Sequence, residues 1–295
     1  MELVVGVFTP SVLLAVARRT GRLGAEVTAV TVPSSPAQFR SLLDGDIQVA
    51  MTSPDNVLAY RFDPANPLGA TVDVRIVSAV DRGMGLGLYG RPGLSELRGA
   101  VLGVDVPTSG FALAMYALCE SLGLTRDDYR LATLGSTPKR LKALLAGECD
   151  ATMLGAGNEL VAERAGCVAL AHVTDVCHPY LGAVLAVAGD DHLGPAIGLA
   201  EALRHTAADI HAGRLDRTVV EAAESELDLD QELAARYLDR LKSPTDGLVT
   251  DGAVDLDALT TIVRLRERYL SSPGVDVLKP TSGLFARRSD ARATR

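Results

Sequence analysis

The chain has 295 residues, of which 47% are hydrophobic and 22% are charged, so it can bury a sizeable core and is not an intrinsically disordered chain. Its 29 basic and 37 acidic residues give a formal net charge of −8, with the basic residues scattered, which argues against nucleic acid or an anionic lipid surface as a partner. Aromatic residues make up 4% and Trp is absent, so recognition must depend on backbone groups, hydroxyls and aliphatic walls.

The first 21 residues, MELVVGVFTPSVLLAVARRTG, do not have the pattern of a signal peptide. Their apolar stretches are short, Pro10 interrupts them, and no Lys or Arg precedes them. Nowhere in the sequence do 18 apolar residues run together, so we expect no membrane insertion. We therefore expect a cytoplasmic protein, and an extracytoplasmic one only if the true start lies upstream. The four cysteines show no CxxC pairing and no metal-ligand spacing, which is typical of buried, reduced thiols.

The sequence contains an internal repeat of one helix followed by one strand. SSPAQFRSLLDGDIQVAM at 34–51 aligns without a gap with STPKRLKALLAGECDATM at 136–153. Ser35 and Thr137 are predicted N-caps, each followed by a proline at the first helical position. Gln38, three residues after Ser35, is placed to complete a capping box. Each predicted helix ends at a glycine that can adopt the left-handed conformation of a helix end, and these are Gly45 and Gly147.

Upstream of each copy, a further strand, turn and helix also match. VVGVFTPSVLLAVARRTG aligns with VLGVDVPTSGFALAMYALCESLG, so that Gly6 corresponds to Gly103 and Pro10 to Pro107. The order β-α-β-α-β thus occurs twice. This duplication predicts an α/β fold of two Rossmann-like lobes with parallel sheet cores.

The remaining segments predict how the lobes are joined. An extended apolar run at 72–93 separates the copies, two more strands follow the second copy, and apolar residues at helical spacing dominate from 194 onward. We expect the C-terminal helices to pack on the first lobe, so the chain crosses between the lobes twice and forms a two-strand hinge. The predicted lobes are 1–89 with 188–295 and 90–187, and 286–295 is a polar, disordered tail.

The predicted ligand site follows from the sheet topology. In an open parallel sheet, the loops at the carboxyl ends of the strands form the binding crevice. The side chains and glycines that we assign to ligand binding on these loops and on the late segment 172–182 are Thr9, Ser11, Thr52, Ser53, Asp55, Asn56, Asp105, Thr108, Ser109, Gly110, Phe111, Gly155, Asn158 and Tyr180.

These loops contain hydroxyls, glycines and prolines but no Lys or Arg. Thr108, Ser109 and Gly110 can hold an oxyanion at a helix start, yet a doubly charged phosphate would also need an arginine. We therefore expect a neutral or singly charged organic ligand, with an amine accommodated near Asp55 or Asp105. The alternative is that both aspartates and Ser109 only cap helices.

Other motifs in the sequence are weaker evidence for a functional site. The glycines of GLGLYG at 85–90 match GxGxxG, but the segment leads to a Pro-Gly turn instead of the helix that a dinucleotide site needs. His172, Asp175 and His178 lack a further ligand at metal spacing, so we expect no metal, and no residue indicates a cofactor. His178 is a candidate proton donor or base at the rim of the cleft, or else an ordinary surface histidine.

Three strings, LRGAVLGVDVPTSGFALAMYALCESLGL, GSTPKRLKALLAGECDATMLGAG and DGAVDLDALTTIVRLRERY, resemble the type II periplasmic binding proteins, and within them the SsuA/THI5-like (NMT1-like) solute-binding family. The resemblance covers nearly the whole chain and implies a small molecule enclosed between two lobes, as in ABC-transporter substrate-binding proteins. Cytoplasmic proteins of this fold include thiamine pyrimidine synthases, a menaquinone-pathway dehydratase and cyclase, and 4,5-dihydroxyphthalate decarboxylase. The CCCFC iron motif of the pyrimidine synthases is absent, so that activity is not implied.

Two function classes therefore stay open. The chain is either a solute-binding protein, monomeric or homodimeric, with an ABC permease as partner if it is exported, or a cytoplasmic lyase, dehydratase or decarboxylase. In the enzyme, closure would exclude water while Asp105 and His178 acted as catalytic acid and base.

Overall fold

The computed structural model describes residues 2–24, 26–270 and 274–286. Within them, ten strands form two five-stranded sheets. The strands are β1 (Leu3–Val7), β2 (Val27–Thr31), β3 (Val49–Thr52), β4 (Val74–Asp81), β5 (Gly87–Gly90), β6 (Val101–Val104), β7 (Arg130–Thr133), β8 (Ala151–Leu154), β9 (Val168–His172) and β10 (Ala183–Ala188). The α-helices are α1 (Val12–Arg19), α2 (Ser35–Asp44), α3 (Pro54–Phe62), α4 (Gly110–Ser121), α5 (Thr137–Leu145), α6 (Asn158–Arg164), α7 (Val173–Val176), α8 (Leu193–His211), α9 (Asp216–Leu227), α10 (Gln231–Lys242) and α11 (Leu256–Leu270).

The two sheets have the same topology. Their strand orders are β2-β1-β3-β10-β4 and β7-β6-β8-β5-β9. In each sheet the first three strands run parallel and the fourth runs antiparallel to its neighbours. The antiparallel strand is β10 in one lobe and β5 in the other, and each comes directly after the chain has crossed from the opposite lobe. The predicted α/β fold of two Rossmann-like lobes with a double crossover is confirmed.

The crossings lie a few residues earlier than the sequence predicted. The chain leaves the first sheet at 82–86 and returns at 177–182, so the predicted boundaries after residues 89 and 187 fall inside β5 and β10. The reason is a break within the apolar run 72–93: Gly83, Met84 and Gly85 have φ values of 124°, 48° and 77°. Three successive residues with positive φ cannot continue a strand, so β4 ends and the chain turns into the second lobe.

The repeat forms the predicted helix and strand, but its helices begin one residue earlier. Ser34 and Ser136 are the N-caps, and the proline follows at the second helical position. The first helix ends at Gly45 with φ 81°, as predicted. Gln38 makes no capping box, because its buried amide donates to the carbonyl oxygens of β-strand residues.

The C-terminal helices connect to both lobes. As predicted, α8 and α9 pack on the first lobe, against α1, and α8 also against β4. In addition, α10 contacts α6, and α11 contacts both α3 of the first lobe and α4 of the second. Apolar residues from both lobes accordingly form one continuous buried cluster. Of the predicted tail 286–295, all but residue 286 lie outside the described residues.

Two further sequence expectations concern the thiols and the helices. All four cysteines are buried and unpaired, as predicted. Among the described residues, no helix has the length and hydropathy needed to cross a membrane.

Candidate functional site

A cleft lies between the lobes where the carboxyl ends of the parallel strands face each other. One part of it, which we call the apolar chamber, has a cavity volume of about 130 Å³. This chamber is lined by Val7, Phe8, Thr9, Pro10, Ser11, Leu13, Met51, Thr52, Ser53, Val80, Asp81, Gly83, Met84, Phe111, Thr137, Gly155, Ala156, Gly182, Ala183, Tyr237, Leu241 and Leu248. Many of these residues lie on the loops at the carboxyl ends of the parallel strands.

A smaller, polar chamber of about 50 Å³ adjoins the apolar one. It is lined by Phe8, Ser53, Asn56, Asp105, Ser109, Gly110, Phe111, Ser136, Thr137 and Arg140. Phe8, Ser53, Phe111 and Thr137 border both chambers and form the wall between them.

The serines that line the chambers also cap helices. Ser11, Ser53 and Ser109 accept hydrogen bonds from backbone amides three residues on, at 3.3–3.4 Å, at the starts of α1, α3 and α4. Each of these serines therefore both caps a helix and lines a chamber, because a helix that follows a parallel strand begins at the edge of the crevice.

Arg140 corrects the expectation that the cleft contains no cationic side chain. It comes from α5, behind the loops, and is 2% exposed. Its guanidinium donates to the hydroxyls of Thr152 and Thr137 and to the carbonyl oxygens of Gly135 and Met153. Burial lowers the pKa of Arg140 to about 10, an effect that the nearby carboxylate of Asp105 partly offsets.

Asp105 contacts the opposite lobe across the cleft. Its Oδ2 accepts hydrogen bonds from the backbone N–H and the hydroxyl of Ser35, at 3.2 and 2.8 Å, where α2 begins. Its Oδ1 is buried and has no hydrogen-bond partner. A carboxylate at the positive end of a helix is stabilised by the helix dipole, so Asp105 holds the lobes together at this point.

Asp55 joins three elements. From the first turn of α3 it forms a buried ion pair with Arg266 of α11 at 2.9 Å, and it lies against Gly110, the first residue of α4. Burial raises the pKa of Asp55, while Arg266 and the Gly110 amide counteract part of this increase. Arg266 also pairs with Asp63. Asp55 is therefore a structural carboxylate between the lobes and does not line either chamber.

Several predicted site residues do line the chambers. These are Thr9, Ser11, Thr52, Ser53, Asn56, Asp105, Ser109, Gly110, Phe111 and Gly155. Asn158 lies beside them and its amide donates to the Thr9 hydroxyl at 3.4 Å.

Three other predicted site residues line neither chamber, although Thr108 borders a third cavity between the lobes, of about 180 Å³, together with Asn56 and Ser109. Thr108 is exposed, Tyr180 is a core residue at 4% exposure, and His178 is exposed and absent from the lining of both chambers. The proposed acid–base role of His178 therefore has no support in the geometry. His178 lies within the return crossing at 177–182, where Tyr180 instead of His178 is buried.

The sequence reasoning missed Asp81, Met84, Arg140 and Tyr237. Asp81 ends β4 at the outward crossing, and Tyr237 lies on α10, far from the repeat in the sequence. No signal in the sequence pointed to Arg140, because the residue at the same repeat position, Gln38, is itself predicted to cap a helix.

Comparison with known proteins agrees with this architecture. Residues 17–204, more than half of the chain, match the family described as ABC transporter, phosphonate, periplasmic substrate-binding protein. No curated protein matched the sequence.

Solved structures match the whole fold at low identity. The ligand-binding component of an ABC-type import system from Staphylococcus aureus, solved with zinc bound, is 14% identical with a TM-score of 0.75, covering 100% of this chain and 99% of that one. The alkanesulfonate-binding protein SsuA from Xanthomonas axonopodis pv. citri, bound to MOPS, is 14% identical with a TM-score of 0.72 and 92% of each chain covered. The periplasmic aliphatic sulphonate binding protein SsuA from Escherichia coli is 14% identical with a TM-score of 0.68, covering 97% of this chain and 92% of that one.

At such identities the solved structures show the fold, whereas the family match rests on the sequence itself. Duplicated lobes, a double crossover and a cleft lined from both sides agree with that match. The chain belongs to the family of periplasmic substrate-binding proteins of phosphonate ABC transporters.

Proposed function

We propose that this protein binds a small organic solute with at most one charge in the cleft between its lobes and presents it to an ABC permease. The observation that carries the proposal is that residues of both lobes line one chamber: Ser11 and Ser53 come from the first, Phe111 and Gly155 from the second. A ligand in this chamber contacts both lobes only when they are closed, so binding favours closure.

The charge of the ligand is inferred from what the chambers offer. Among the described residues that line the apolar chamber, Asp81 is the only charged side chain. The start of α2, which could hold an anion, is occupied by Asp105. Arg140 already makes four hydrogen bonds within the protein. A phosphonate dianion would therefore find little positive charge here, although phosphonate stands in the family's description.

The family match supports the delivery role, and a protein in that role works outside the cytoplasmic membrane. The enzymatic alternative gains no specific support, because Asp105 is engaged with Ser35 and His178 lies away from both chambers. Without a positioned acid–base pair, closure serves to hold a solute.

A matched panel of ligands tests the proposal. Benzyl alcohol, benzylammonium, benzenesulfonate and phenylphosphonate share an aromatic body and differ in charge, and wider sets of aliphatic solutes extend the panel. Thermal shift followed by calorimetry should find binding among the neutral and singly charged members, since saturation at 100 times the dissociation constant adds about 2.7 kcal/mol of stability. Tightest binding by the phosphonate dianion would contradict the proposed charge, and no binding across the panel would contradict the proposed function.

A variant that fills the chamber locates the site. Thr9→Phe places a ring in the apolar chamber and should abolish binding of whichever solute the wild type retains. Thr133→Phe makes the same change at an exposed position at the end of β7 and should leave binding unchanged. Equal binding by both variants would show that the solute occupies a different place.

A further inference from the structure

The outward crossing between the lobes contains a carboxylate that lines the apolar chamber. This carboxylate belongs to Asp81, the last residue of β4. Among the described residues that line the apolar chamber, it is the only charged one. The apolar side chains around it include Leu13, Met84 and Leu248. An ionised carboxylate in such surroundings is costly unless a positive charge or several hydrogen-bond donors face it.

Both crossings fix the position of Asp81. Its Oδ1 accepts a hydrogen bond from the N–H of Gly83 at 2.9 Å, and its backbone oxygen accepts one from Gly182 at 3.0 Å. A side chain at Gly182 would collide with Oδ1, so the carboxylate lies directly over this glycine. Asp81 is therefore held rigidly between the segment that leaves the first lobe and the segment that returns to it.

Among the described residues, no lysine, arginine or histidine forms an ion pair with this carboxylate. Arg82 is the neighbouring cation, and its guanidinium donates to the carbonyl oxygen of Leu248. The other titratable groups around Asp81 include Asp246, Tyr180 and Tyr237. Beyond them lies Arg240, which is 3.9 Å from the carboxylates of both Asp246 and Glu159. Burial raises the pKa of Asp81 to about 6; Asp246 adds to this rise, while the amides of Gly83 and Ala183 and the charge of Arg82 offset part of it.

We propose that Asp81 anchors the cationic group of the ligand, so that the cleft takes a small organic ammonium ion with an apolar body. This inference rests on the proposed function and specifies its ligand class. The chamber, at about 130 Å³, is close in size to an engineered protein cavity of about 150 Å³ that holds benzene. The hydroxyls of Thr9, Ser11 and Ser53, which line the same chamber, can hydrogen-bond to polar groups elsewhere on the ligand.

The test compares benzylammonium with benzyl alcohol and benzoate by calorimetry at pH 7.5. Wild type should bind benzylammonium at least about tenfold more tightly than benzyl alcohol, and benzoate more weakly still. Asp81→Asn should lose at least about tenfold in ammonium affinity and keep its alcohol affinity. Asp239→Asn, on an exposed face of α10, is the matched control and should behave as wild type.

A second measurement on the wild type covers the case in which Asp81→Asn fails to fold. Because the carboxylate must be ionised, ammonium affinity should rise as the pH increases from 5 to 7, while alcohol affinity stays constant. Equal affinities for ammonium and alcohol, or unchanged ammonium binding in Asp81→Asn, would overturn the ammonium site. If none of the three probes binds, this ligand class is wrong, whereas the proposed function fails only if the whole solute panel also has no effect.

Discussion

Asp55 of the first lobe and Asp105 of the second lobe have reciprocal positions across the cleft. Asp105 accepts hydrogen bonds from Ser35 at the start of α2 in the first lobe. Asp55 lies against Gly110 at the start of α4 in the second lobe. Each lobe thus places a carboxylate at the positive end of a helix in the other.

Removal of the Asp105 carboxylate should favour the open form. Asp105→Ala leaves the N–H and hydroxyl of Ser35 without their shared acceptor, and hydrogen bonds to a charged group contribute about 1.5–3 kcal/mol each. We expect the ratio of open to closed molecules to rise at least about tenfold, seen as a larger radius of gyration in solution scattering. Asp127→Ala, at an exposed position, should leave the scattering unchanged. An unaltered radius in Asp105→Ala would mean that other contacts determine closure.

Gly110 should tolerate no side chain in the closed form. A Cβ at this position would lie 2.5 Å from the Cβ of Asp55, a backbone-proximal atom that cannot move aside. Gly110→Ala should therefore destabilise the closed protein by about 1–3 kcal/mol in urea unfolding. The control is Gly198→Ala within α8, where a Cβ meets open space and the higher helix propensity of alanine should stabilise by about 0.5–1 kcal/mol. Equal effects from the two substitutions would refute the close approach of Asp55 and Gly110.

The buried carboxyl of Glu159 should make stability depend on pH. Burial raises the pKa of Glu159 to about 8, and the closest basic nitrogen, Nε of Arg240, is 3.9 Å away. Because this pKa lies above the ordinary value of 4.5, the stabilisation by the bound proton is complete below about pH 4.5 and is lost as the pH rises through about 8.

Glu159→Gln removes this titration and keeps a similar shape. Relative to wild type, its free energy of unfolding should increase by on the order of 2–4 kcal/mol between pH 5 and pH 9. Glu232→Gln, at an exposed position on α10, should give no such trend. If urea titrations show parallel pH profiles for wild type and Glu159→Gln, the carboxyl is not buried as described.

The repeat made the lobes predictable, because two aligned copies of helix and strand specify two sheets of the same topology. The crossings were less predictable. Positive φ at Met84 follows from the path of the chain between two sheets, and no local pattern in an apolar run marks it. Asp81 was missed for the same reason, since its position in the cleft depends on where β4 ends.

Two buried polar residues on the repeat helix show a different limit of the sequence. The pattern predicts that Gln38 completes a capping box and predicts no role for Arg140, yet they are 0% and 2% exposed. Both donate to the carbonyl oxygen of the next-to-last residue of the repeat strand, Met51 in one copy and Met153 in the other. The need to satisfy these buried carbonyls decides their burial, and it is visible only in three dimensions.

Gln38 and Arg140 occupy the same position in the two copies of the repeat, so replacing the arginine by glutamine tests whether they have the same role. Arg140→Gln should keep the hydrogen bond to the Met153 oxygen, as Gln38 does to Met51, and lose those to Gly135 and Thr137. We expect it to destabilise the protein by about 1–2 kcal/mol, and Arg140→Ala to cost about 3–5 kcal/mol because it leaves every acceptor unpaired and a cavity behind. Urea unfolding measures both, with Lys139→Gln at the exposed neighbouring position as control. Equal losses of unfolding free energy in Arg140→Gln and Arg140→Ala would show that the glutamine does not make this hydrogen bond. The two copies of the repeat would then share their backbone structure but not this buried contact.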